Sequence, residues 1–120
     1  NGVTATLGAR NLSVPAFPAH LVDAGGAGDW TTAGVLWRVM KSADRWNSAV
    51  VEDALRLGQA LAAVSCGYAG ARSVTSFLSR DEMVKAARDI MEHHALQPGE
   101  HALPRRARPP ANGCIACLNA

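Results

Sequence analysis

The chain has 120 residues, 48% of them hydrophobic and 18% charged, with a formal net charge of +2. That length can close a core as one domain, and the composition excludes a disordered chain. The mild charge, with no basic stripe carrying interleaved aromatics, argues against a nucleic-acid partner, and no apolar run is long enough to span a bilayer.

Val3-Thr4-Ala5-Thr6-Leu7 is short, β-branched and ended by Gly8, which predicts a strand. Leu12 to Val14 reads as a second extended piece. Pro15 and Pro18 then exclude helix and favour extended backbone before them. Ala19 to Val22 is expected to resume as a strand leading into a glycine turn. From Trp30 to Met40 the periodicity predicts a helix with Ala33, Leu36, Trp37 and Met40 on one face. Lys41 to Asn47 is polar and reads as a loop. Ser48 is the expected cap of a second helix running to about Cys66, with Gly67 as its stop. Val51, Leu55, Gly58, Ala62 and Ser65 share one face and Val50, Ala54, Leu57, Leu61 and Val64 another; mostly small residues on the first and larger ones on the second predict burial over most of its circumference.

Ser79-Arg80-Asp81-Glu82 fits a capping box, and Met83, Val84, Ala87, Ile90 and Met91 point inward behind it, to an end near His93 or His94. From Gln97 the composition changes to Pro98, Pro104, Pro109 and Pro110 with Arg105, Arg106 and Arg108, the signature of a solvated tail. The expected division is therefore a folded part, residues 1–96, and a tail, 97–120. Strands first and three helices after them leave too few strands for a closed sheet. Together with Asn1 in place of a Met and a strand entered mid-fold, this predicts a fragment, a processed product or an incomplete chain. An odd cysteine count of three and no signal-peptide pattern favour reduced thiols and a cytoplasmic setting.

The chemistry concentrates in Leu21-Val22-Asp23-Ala24-Gly25-Gly26-Ala27-Gly28-Asp29-Trp30. A glycine turn that opens a helix aims several backbone N–H groups at one point, where the helix dipole adds positive charge. A carboxylate beside such an anion site makes electrostatic sense if it takes a proton from an attacking hydroxyl. The plainer readings are a simple turn, with Asp29 as a helix cap.

Asp23 to Asp29 resembles the Asp-Thr-x-Gly-Ala-Gly-Asp signature near the C-terminus of the ribokinase-like (PfkB) carbohydrate kinases. Flanking landmarks stand in the same order: Thr6-Leu7-Gly8 upstream, Ala33-Gly34 within the helix, and Ala60 to Val64 followed by Gly70-Ala71 downstream. The resemblance implies an α/β fold, the C-terminal portion of a three-layer α/β/α architecture. It implies an ATP-dependent phosphotransferase acting on a hydroxyl of a sugar, nucleoside or sugar-like small molecule. Asp29 would be the catalytic base, and the N–H groups of Gly26, Ala27 and Gly28 the anion hole. Leu7 and Gly8 would lie along the nucleotide, Gln59 near the adenine, and Gly70 in the nucleotide-side loop. Mg2+ would arrive with ATP. A monovalent cation would be held by Asp23 and carbonyls around Gly70-Ala71.

The sequence departs from the pattern at Ala24, in place of threonine, at Gly25, and near Val74, where a polar residue is expected. The family's N-terminal part supplies most sugar contacts, so the isolated chain is expected to be inactive. Nucleic acid and membrane are not expected partners, and a homo-oligomer is left open. The alternative is a non-catalytic kinase fragment that binds a nucleotide or a partner, with zinc held through Cys114-Ile115-Ala116-Cys117 and Cys66 and His101 as candidates for the two further ligands. Two incidental thiols in a tail are the simpler expectation. His93-His94 suits a helix end by its dipole, and Trp30, Trp37 and Trp46 suit core and edge packing.

Overall fold

The computed structural model describes residues 2–42 and 46–96. The tail, with Cys114, Cys117 and His101, lies outside the described residues, as does the middle of the loop after Met40. Two strands come first, Gly2–Leu7 (β1) and Arg10–Pro15 (β2), followed by three α-helices: Ala27–Met40 (α1), Ser48–Ser65 (α2) and Arg80–Leu96 (α3). A single 3-10 turn, Ser73–Ser76, links α2 to α3. This order is compatible with the expected α/β class.

The strands pair antiparallel, with Val3 opposite Val14 and Ala5 opposite Leu12. Gly8, at φ +60, takes the first central position of the two-residue turn, where a positive φ matches the twist of the flanking strands. Alternation sends Val3, Ala5, Leu7, Leu12 and Val14 to one face, and the hairpin packs chiefly on α2.

Helix α2 is the centre of the molecule. From Ala54 onward nearly every residue is buried, and Leu57, Ala60, Leu61, Ala63 and Val64 join Val74, Met83, Ala87 and Ile90 in one core. Its N-cap is Asn47 rather than Ser48: the Asn47 carboxamide oxygen accepts the Val50 N–H at 3.0 Å, and Ser48 is the first helical residue. Helix α3 begins with the expected capping box. Glu82 accepts from the Ser79 N–H at 2.8 Å and from its hydroxyl at 2.7 Å, while the Glu82 N–H donates back to Ser79 Oγ at 3.3 Å. It then runs past His93 and His94 to Leu96.

Two further expectations fail for identifiable reasons. Ala19 to Val22 is not a strand, because no strand among the described residues lies beside it. Val22 and Asp23 instead donate their N–H groups to the Cys66 carbonyl, at 2.8 and 3.2 Å. The buried side of α1 is also not the one with the large apolar residues. Ala33 is exposed, as are Leu36 at 55% and Met40 at 83%. Gly34 faces Gly58 of α2, and a Cβ on Gly34 would stand 2.8 Å from the Gly58 Cα. Missing side chains let the two backbones approach, so glycine rather than leucine marks this interface. The Arg38–Asp53 ion pair, 2.6 Å, closes the same junction nearer the end of α1. Trp30 and Trp37 pack against the core, whereas Trp46 is 67% exposed.

Candidate anion site at the head of α1

The glycine turn ends on Gly26, the N-cap of α1, at φ +76. A side chain there would be strained, and its Cβ would also meet the Ala71 methyl at 2.8 Å. Gly26 is therefore pressed against the loop after α2. The Gly26 carbonyl accepts the Trp30 N–H at 3.0 Å and starts the helix. Upstream of that first helical bond the donors differ. Ala27 N–H turns back to the Ala24 carbonyl at 3.2 Å, while the N–H groups of Gly26, Gly28 and Asp29 donate to no group among the described residues. Helix α1 thus presents open donors at its positive end.

Gly28 is the informative residue of this group. It lies in the first turn of α1 at negative φ, and nothing stands within 4 Å of where its Cβ would be. Neither backbone conformation nor packing asks for glycine there. An alanine would favour the helix, by roughly 0.5–1 kcal/mol. What the missing side chain leaves is a bare approach to the open amides.

Asp29 follows directly. Helix α1 starts before it, so Asp29 is not the cap that its position suggested: the cap is Gly26, with no side-chain hydrogen bond. Its carboxylate is exposed and makes no hydrogen bond or ion pair with the described residues. In the first turn the dipole favours its charge.

The turn is tied to the loop after α2 by a set of bonds. Asp23 Oδ1 accepts the Gly25 N–H and Oδ2 the Gly70 N–H, both at 2.8 Å. These two donors hold the Asp23 carboxyl below the usual carboxylate range, Gly25 contributing more. The Trp30 indole N–H donates to the Ala71 carbonyl at 2.9 Å. Cys66 supplies the carbonyl for Val22 and Asp23, and its half-buried thiol is pushed up by burial and then by the Asp23 charge.

Other residues expected at a site are spread more widely. Leu7 and Gly8 lie at the hairpin turn, and no hydrogen bond among the described residues joins Gly8 to the glycine turn. The Gln59 side chain, half-buried, donates to Thr31 Oγ1 at 3.3 Å across the α1–α2 interface. Val74, near the position where a polar cation ligand was expected, is 1% exposed and belongs to the core. Among the described residues no group of three or more His, Cys, Asp or Glu side chains is placed to hold a metal ion. Sequence reading missed the roles of Trp30, Cys66 and Ala71 in the tie, since contacts between residues 41 positions apart leave no local pattern.

Open amides at a helix head are suited to an anion, and a carboxylate without a partner among the described residues stands in the same turn. The chain belongs to the pfkB family of carbohydrate kinases, whose profile matches residues 1–77. It is also similar to the bifunctional protein HldE of Bradyrhizobium sp. (strain ORS 278), at 35% identity over 86 residues. That match covers 72% of the chain but 16% of the relative. No solved structure matches the chain. Among the described residues no helix is long and apolar enough to cross a membrane.

Proposed function

We propose that the chain carries the phosphate-binding end of an ATP-dependent phosphotransferase acting on a hydroxyl of a sugar or sugar-like small molecule. The single observation that carries this reading is Gly28: a helical glycine with no demand from the fold, beside amides that nothing else among the described residues occupies. The amides of Gly26 and Gly28, with that of Asp29, fit the oxygens of a transferring phosphoryl group, where fixed donors stabilise developing charge. The Ala27 amide contributes to the turn first, through its bond to Ala24.

Asp29 is the base. Among the described residues its carboxylate has no partner to compete with an incoming hydroxyl, and it stands one residue from the amides that would receive the phosphoryl group. It accepts the hydroxyl proton as the oxygen attacks, so that charge moves from the acceptor toward the phosphoryl oxygens. Magnesium enters with ATP and neutralises phosphate charge when bound. The reaction belongs in the cytoplasm, where ATP is abundant.

The match spans 16% of the relative's length, so sugar contacts from outside the matched residues 1–77 are part of this proposal. No turnover is therefore expected when the 120-residue chain is offered MgATP with a panel of sugars and nucleosides in an ADP-release assay. MgATP binding measured by calorimetry should be alike in the wild type and Asp29→Asn. With a sugar-contacting half supplied, Asp29→Asn should lower kcat by about 10²–10⁴-fold at unchanged KM for MgATP. Turnover that survives the substitution would overturn the base assignment.

A further inference from the structure

The resemblance assigns Asp23 to a monovalent cation, but both of its oxygens already accept backbone N–H groups. One comes from the turn itself, and the other from Gly70, 47 residues away. We infer that Asp23 is a positioning residue for the anion hole, its two oxygens locking the glycine turn and the Gly70 loop into one register. This inference rests on the phosphate-binding reading of that turn.

Several contacts converge on the same seam. Asp23 and Val22 are themselves fixed by their N–H bonds to the Cys66 carbonyl, at the C-terminal end of α2. Gly26 presses on Ala71, and a Cβ added at Gly26 would come 3.0 Å from the Ala71 carbonyl oxygen. The same oxygen receives the Trp30 indole N–H. So the first turn of α1 touches the loop at Ala71, from both its cap and its Trp30 side chain. Asp23 supplies the remaining tie, at Gly70. Because α2 is the core of the molecule, this seam transmits the rigidity of the core to the open amides of Gly26 and Gly28. A preorganised donor set is what makes such amides effective toward an anion, since donors that must first be ordered lose binding energy to that ordering.

A carboxylate is the side chain that can accept both N–H groups in this span. Asparagine has one acceptor oxygen and an NH2 that confronts the second donor. Serine is shorter: its hydroxyl can keep the local turn bond to Gly25 but cannot reach Gly70. The two substitutions therefore separate the local tie from the tie between loops.

The test uses the full chain with MgATP as probe, in potassium buffer and in buffer with tetramethylammonium replacing potassium. Amide hydrogen exchange is read residue by residue by NMR. Asp23→Ser should keep Gly25 protected while exchange at Gly70 accelerates at least about tenfold, with the α2 and α3 amides unchanged, the loss expected for one charge-assisted hydrogen bond. MgATP affinity should fall by about tenfold in both Asp23→Ser and Asp23→Asn, equally with and without potassium. Unchanged exchange at Gly70, or an affinity loss that appears only in potassium, would overturn the positioning role and leave Asp23 a cation ligand. If Asp23→Asn does not fold, Asp23→Ser carries the same test. If the wild type binds no MgATP, the phosphate-binding reading fails, and the exchange pattern alone decides whether Asp23 locks the two loops.

Discussion

Helix α1 carries glycines at its head and in its middle, and they answer to different causes. At the α1–α2 crossing, a Cβ on Gly58 would stand 2.5 Å from the Thr31 carbonyl oxygen, and one on Gly34 would meet the Gly58 backbone. Those glycines are explained by packing. At the head of the same helix, Gly28 has open space on its free side and ordinary helical backbone. The fold tolerates this glycine without needing it, at a cost in helix propensity. Where packing explains a residue, stability should report its loss. Where packing explains nothing, binding should report it instead.

The largest effect is expected at the crossing. Gly58→Val forces branched atoms against the main chain of α1, which cannot retreat as a side chain would. The loss should be about 3 kcal/mol, read from the urea midpoint. An unaffected midpoint would mean that the helices can separate freely, and the contrast with Gly28 would collapse.

Gly26 stands between the two cases, since it is demanded both by positive φ and by Ala71. Gly26→Ala should cost about 1–2 kcal/mol in unfolding experiments, the penalty for a left-handed alanine. It should also disturb the Trp30 contact with Ala71, visible as a change in indole fluorescence.

A smaller effect belongs to the capping box of α3. The Ser79 N–H and hydroxyl hold the Glu82 carboxyl below its usual range. A depressed carboxyl stabilises the fold above its unfolded value, and this contribution is lost as pH falls through the folded value. Relative to Glu82→Gln, the wild type should therefore lose helicity more steeply between about pH 5 and pH 3, as followed by circular dichroism. Parallel curves would show that the charge on Glu82 adds nothing to the cap.

Much of this was legible in the sequence because it is local. The capping box, the two extended pieces around Gly8 (though not their pairing as a hairpin) and the glycine turn before α1 are all written within a few consecutive residues. The heavily buried α2 was legible from its mixture of small and large residues on opposite sides. The buried face of α1 was not, because hydrophobic periodicity rewards Leu36 and Met40 and gives glycine no weight. Gly34 set the packing there through absent atoms. Ala19 to Val22 carries strand-like residues, yet a strand needs a neighbour, and the Cys66 carbonyl took those donors instead. At the candidate site the motif named Asp29 and the glycines. The seam through Gly70, Ala71 and Trp30 depended on tertiary contacts that no spacing reveals.

The central claim is that Gly28 serves a ligand and not the fold. Its most direct test pairs chemical denaturation with MgATP titration for the wild type and Gly28→Ala. The expected result is a chain at least as stable as the wild type, by up to roughly 1 kcal/mol, with MgATP affinity reduced about tenfold or more. Equal affinity in the two chains, or a loss of stability that accounts for the loss of binding, would contradict it.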